Sequence, residues 1–123
     1  LMDIYRGAWD ADLLDLFDVP AGALPEIMDC AGPIAATDPA LFGRAIPICG
    51  LAGDQQAAAI GQACLTPGDT KATYGTGAFV ITNTGAHAKP SAHRLLTTIA
   101  WQLGGSRAYA LEGSVFVAGS LVK

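Results

Sequence analysis

A strand signal, a carboxylate and a helix signal follow one another without a spacer in residues 46–79, IPICGLAGDQQAAAIGQACLTPGDTKATYGTGAF. The apolar run 46–49 reads as a buried strand. It breaks at Gly50-Leu51-Ala52-Gly53, and Asp54 comes next. The segment after it, QQAAAIGQACL, is rich in helix formers, so Asp54 is expected as the N-cap of a helix over about 55–65. Thr66-Pro67-Gly68-Asp69 is a turn signal. A strand over 70–74 then runs into the corner Gly75-Thr76-Gly77, and a second strand over 78–82 leaves it.

The flanking chain is read more coarsely. Asp10 is placed to cap a short amphipathic helix with Leu13, Leu14, Leu16 and Phe17 on or near one face, ended by Val19-Pro20. A second short helix is expected from Leu24-Pro25 through Met28. Residues 30–37 read as irregular or weakly extended, 38–44 as turn and loop, and Asn83-Thr84-Gly85 as a turn. A polar loop over 87–93 precedes a strand over 95–102. The Gly104-Gly105 pair predicts a hairpin into a strand over 107–111. Strand-plus-helix in the first half thus gives way to antiparallel hairpins, with the seam at 66–69.

Bulk properties exclude several classes. At 51% hydrophobic and 15% charged residues, the 123-residue chain can bury a core and does not read as disordered. A net charge of −4 without a basic block argues against nucleic acid or an anionic membrane surface. Cys30, Cys49 and Cys64 are odd in number and widely spaced, so reduced thiols are expected, with Cys49 and Cys64 in the core. No apolar run reaches a membrane span and no secretory leader is seen, which together predict a cytoplasmic location. The chain starts at Leu1 and closes inside the apolar segment GSVFVAGSLVK, so a piece of a longer protein is expected.

Asp54 and the Gly75–Gly77 corner carry the candidate chemistry. A carboxylate beside a helix N-terminus suits the positive end of the helix, and against an alcohol it can accept the hydroxyl proton during phosphoryl transfer. Spacing alone still favours a simple cap. Gln55 can donate to and accept from a polyol, or be a solvated first-turn residue. Gly75 and Gly77 permit positive φ and close approach of a ligand to successive N–H groups, with Thr76 adding a hydroxyl; an ordinary hairpin turn would look the same. Phe79 reads as core or pocket wall. Glu112-Gly113-Ser114 and Gly119 suit tight packing or phosphate approach, and Glu112 a structural carboxylate or a metal's outer shell. His87 and His93 read as solvated. None of the standard phosphate-loop, dinucleotide or zinc-protease patterns is present.

Four blocks, GLAGDQQAAAIGQ, TKATYGTGAFVITNTG, LLTTIAW and YALEGSVFVAG, resemble in order and spacing the FGGY family of carbohydrate kinases, and within it the branch that acts on glycerol. The match runs from about Pro47 to Gly119. The resemblance implies a mixed α/β, actin-like or ribonuclease H-like fold. Residues 1–65 would be the end of a first domain and residues 66–123 the start of a second. It implies ATP with Mg2+ as cofactors and glycerol as substrate. Asp54 would be the catalytic base, Gln55 and Phe79 would contact glycerol, and Gly75, Thr76 and Gly119 would contact the nucleotide; no residue is assigned as a metal ligand. A homo-oligomer, dimer or tetramer, is implied for the whole protein. Two other readings stay open: a kinase of another polyol or sugar such as xylulose, and a non-catalytic actin-like nucleotide switch.

Overall fold

The computed structural model describes residues 1–122. The chain begins with a two-stranded ribbon, β1 (Met2–Asp3) and β2 (Ala8–Trp9), followed by α1 (Ala11–Leu16). Asp10 caps α1 as expected, its carboxylate accepting from Leu13 N at 3.0 Å. Of the apolar residues proposed for one face only Leu14 is buried; Leu16 and Phe17 face outward. The helix expected over 24–28 does not form. A 3₁₀ turn (Ala21–Ala23) is followed by extended chain, and the Trp9 indole N–H takes the Pro25 carbonyl that a helix would have used.

β3 (Ala31–Ala36) and β4 (Pro47–Gly50) form a separate antiparallel pair. Between them lies α2 (Pro39–Phe42), where the sequence suggests a loop. Asp38 caps it, Pro39 opens it and Gly43 ends it at φ +71°. β4 forms where the apolar run predicts, but it is exposed along its whole length, and Cys49 on it is exposed rather than in the core.

α3 (Asp54–Gly61) follows four residues later. Its N-cap is Gly53, and Asp54 is the first helical residue, which corrects the capping role expected of Asp54. Glycine suits the cap position because a side chain there would meet the Gln56 amide, whose Oε1 lies 2.7 Å from an ideal Cβ. The four remaining strands, β5 (Thr70–Tyr74), β6 (Ala78–Gly85), β7 (Leu96–Leu103) and β8 (Ser106–Val115), make an antiparallel sheet in the order β5-β6-β8-β7. β6 runs through the turn expected at 83–85. Asn83 is buried, donating from Nδ2 to Cys64 O and accepting from Gly85 N through Oδ1, so its polar side chain serves the interior. Gly104 and Gly105 form the β7–β8 hairpin at φ +55° and +74°. The final apolar segment is strand up to Val115 and a 3₁₀ turn over Gly119–Val122.

Period-two alternation puts Lys71, Thr73, Phe79, Ile81, Asn83, Ala110, Glu112 and Ser114 on one face of this sheet. α3 packs there. The core is Ala59 and Cys64 against Ile81, Ala100 and Ala110, with Trp101 and Ala108 beside them, so it draws on both sides of the seam at 66–69. The terminal ribbon is tied to the same sheet by Arg107, whose guanidinium donates to the carbonyls of Ile4, Tyr5 and Arg6, and by the Tyr109 hydroxyl, which donates to Ile4 O.

Asp29 ties the chain entering β3 to the β7–β8 hairpin. Its carboxylate accepts from Gln102 Nε2 at 2.7 Å and Gly105 N at 3.1 Å. The Gln102 bond, then the Gly105 N–H, hold its carboxyl below the ordinary value of 3.8. A depressed folded value means that Asp29 stabilises the fold above its unfolded value and loses that contribution as pH falls through the folded one. Replacing it in D29A should therefore lower the urea midpoint near neutral pH, with the gap from wild type narrowing as the pH is taken below about 3. A gap that stays constant across that range would contradict this assignment.

Candidate functional site

The sequence candidates fall at two places along β5. At the first, the start of α3 rests over the strand. Asp54 is exposed, and its Oδ1 accepts from Gln55 N at 2.8 Å. A carboxylate in the first turn complements the helix dipole. Gln55 is half-buried and turns inward, where its Oε1 accepts from Lys71 Nζ at 2.5 Å. Lys71 itself is 2% exposed.

The second place is the corner where β5 becomes β6, four residues beyond Lys71, or about 13 Å at the rise of an extended strand. Here Gly75, Thr76 and Gly119, which are 43 to 44 residues apart in sequence, come together. Gly119 N donates to Gly75 O at 3.0 Å, Ala118 N donates to Thr76 O at 2.8 Å, and the Ser120 hydroxyl reaches Thr76 O at 3.4 Å. The glycines are not used for positive φ, as the sequence suggests; none of Gly75, Gly77 and Gly119 has it. They are used for close approach. A Cβ on Gly119 would lie 2.4 Å from Gly75 O, and one on Gly77 would lie 2.8 Å from Val115 O and 3.1 Å from the Phe79 ring.

The corner is not a row of free N–H groups. Gly75 N donates to Gly77 O at 2.8 Å and Gly119 N is spent on Gly75 O. The exposed Thr76 keeps its N–H out of the backbone bonds of the described residues, and its hydroxyl makes no side-chain bond among them. Gly77 N likewise makes no backbone bond among the described residues, so the corner leaves two successive N–H groups and one hydroxyl without such partners.

Phe79 lies between the two places. It shares the α3 face of the sheet, pairs with Thr73 and Ser114, and lays its ring against Gly77. Glu112 and Ser114 sit in β8 on the same face, so Glu112 belongs to the sheet and not to a loop. His87 and His93 are exposed, as expected. Among the described residues no cluster of three histidine, cysteine or acidic side chains could hold a metal ion, and no helix is long and apolar enough to cross a membrane. Beneath α3 a void of about 10 Å³, lined by Ala59, Ile81, Asn83 and Ala110, is at most the size of one water. The residue that sequence reasoning passes over is Lys71, unmarked in its strand; its alternation with Thr73 on the packed face is the signal that could have found it.

A model of the N-terminal domain of the FGGY family of carbohydrate kinases matches residues 1–61, ending with α3. Glycerol kinases of Methylobacterium nodulans and Xanthobacter autotrophicus are 62% and 61% identical to the chain over all of its length. The chain belongs to the FGGY family of carbohydrate kinases. It spans about a quarter of the length of these relatives, 24% and 25% respectively. Among solved structures, Plasmodium falciparum glycerol kinase with ADP superposes with a TM-score of 0.89 at 39% identity, over 99% of this chain and 25% of that one. The mixed α/β fold expected for an FGGY kinase is thus the fold that the chain adopts.

The Gly75–Gly119 contact gives a direct test of the corner's packing. G119A forces a methyl group into a carbonyl oxygen and should cost about 1–3 kcal/mol in chemical denaturation. S120A removes only a long hydrogen bond and should cost less than about 1 kcal/mol. Equal effects from the two variants would show that the close approach is not what holds the corner.

Proposed function

We propose that these residues serve ATP-dependent phosphorylation of glycerol at a primary hydroxyl, giving glycerol 3-phosphate. The observation that carries the reading is the juxtaposition along β5: an exposed carboxylate beside a glutamine at one end, and a glycine-floored threonine corner at the other. The names of the relatives supply glycerol, and the ADP that accompanies the Plasmodium enzyme supplies the nucleotide. Asp54 accepts the proton of the attacking hydroxyl as the new oxygen–phosphorus bond forms and the bond from the γ-phosphorus to the departing ADP breaks. Gln55 and Phe79 hold the alcohol, one by hydrogen bonding and the other as an apolar wall. The N–H and hydroxyl of Thr76 receive the phosphates, and the bare backbone of Gly75 and Gly119 lets them approach. ATP supplies the phosphoryl group, and Mg2+ would offset the charge of its phosphates, with no residue of this chain assigned to hold it.

The corner fits this use because a side chain at Gly119 would fill the space beside Thr76 N, which lies 4.0 Å from an ideal Cβ there. In this reading the chain joins the end of one kinase domain, 1–65, to the start of the next, 66–123. A cytoplasmic homo-oligomer is part of the same proposal.

The role of Asp54 is tested in a chain of the relatives' full length that carries these residues. D54N should lower kcat by about 10²–10⁴-fold while glycerol and ATP still bind. Turnover close to wild type would remove Asp54 from the reaction. Phosphorylation of a pentulose in preference to glycerol would replace the substrate but keep the chemistry.

A further inference from the structure

Lysine is rarely buried without a carboxylate partner, because its Nζ loses water and needs replacement acceptors. Lys71 is 2% exposed, and its bond to Gln55 Oε1, at 2.5 Å, reaches across from sheet to helix. The ion pairs among the described residues involve Arg6 with Asp3 and Asp10, not Lys71. The stem of Lys71 lies beside Ile81, its register partner in β6, on the face that α3 covers.

This contact decides the orientation of Gln55. A lysine amine has donors only, whereas a glutamine amide has one acceptor oxygen and one donor nitrogen. The oxygen must therefore face Lys71, and Nε2 must face away from it. An unpinned glutamine could offer either end to a ligand. The neighbouring Asp54 is an acceptor when ionised. Pinning Gln55 thus places one acceptor and one donor side by side at the start of α3.

We propose that Lys71 is a positioning residue that holds Gln55 so that its Nε2 donates to a substrate hydroxyl next to the one that gives its proton to Asp54. The proposal rests on the polyol-kinase reading above and deepens it. The pair is matched to a vicinal diol, with one hydroxyl acting as donor and its neighbour as acceptor. Lys71 itself need not touch the substrate, since Gln55 lies between them. The arrangement ties selection of the alcohol to the strand that ends in the Gly75–Gly77 corner.

A double-mutant cycle in a chain of the relatives' full length tests this. K71M keeps the length of the stem and removes the donor. It should raise the KM for glycerol about tenfold, with kcat and the KM for ATP near wild type. Q55A should do the same, and the K71M/Q55A double variant should be no worse than Q55A alone. Additive penalties, or a KM for ATP that rises in parallel, would overturn the proposal. A second measurement needs no substrate: the Gln55 side-chain amide resonances of the free protein should shift in K71Q, and unmoved resonances would overturn the proposal whether or not K71M folds. A wild-type protein that phosphorylates no polyol would end the kinase reading, while the amide resonances would still decide whether Lys71 pins Gln55.

Discussion

Helix α3 reaches the sheet through small side chains, and the rest of the arrangement depends on that. Ala59 of α3, with Cys64 from the segment that follows it, meets Ile81, Ala100 and Ala110, so helix and strands approach with almost no void between them. A bulkier residue at Ala59 would lift the helix and with it Asp54 and Gln55, the second of which is bonded to the sheet through Lys71. Close packing at one end of α3 therefore sets the position of polar groups at the other. A site built on regular elements gains from this: the scaffold is rigid, so a few side chains can be placed well.

The corner at the far end of β5 is held by different means. Backbone meets backbone there, with Gly119 and Ala118 donating to Gly75 and Thr76. Hydrogen bonds within the corner spend the N–H groups of Gly75, Ala118 and Gly119 and, among the described residues, leave those of Thr76 and Gly77 without a backbone acceptor. The two halves of the proposed chemistry thus share one strand but not one kind of support: side-chain packing holds the alcohol end, and glycine-mediated contact holds the phosphate end. Large apolar residues remain exposed elsewhere, among them Leu41, Phe42, Val115 and Phe116, in a chain that spans a quarter of its relatives' length.

Much of this was legible in the sequence where local rules and tertiary structure agree. The Asp10 cap, the four strands after Thr70 and the Gly104-Gly105 hairpin follow from caps, alternation and turn chemistry. Legibility failed where a tertiary contact overrode a local preference. The Trp9 indole takes a carbonyl at Pro25 and leaves extended chain where a helix is expected. Asn83 reads as a turn former but spends its amide on Cys64 and Gly85 inside the sheet. α2 escapes a sequence reading although Asp38-Pro39 and Gly43 are proper start and stop signals, because the helix between them is only four residues long. At the site, the residue types led to the family through their order and spacing. What one sequence could not supply was that Gly119 lies on Gly75, or that Lys71 is buried beneath Gln55. Both are contacts between distant segments, and neither changes the local pattern that a reader of sequence can follow.

The central claim is that Asp54 takes the proton of the alcohol that attacks a phosphoryl group whose phosphates are held at the Thr76 corner. A structure of a chain of the relatives' full length, bound to glycerol and a non-hydrolysable ATP analogue, tests it most directly. A terminal glycerol hydroxyl is expected within about 2.6–3.2 Å of the Asp54 carboxylate, with phosphate oxygens on the Thr76 N–H and hydroxyl. Phosphates seated away from residues 75–77, or an Asp54 carboxylate turned from the alcohol, would contradict it.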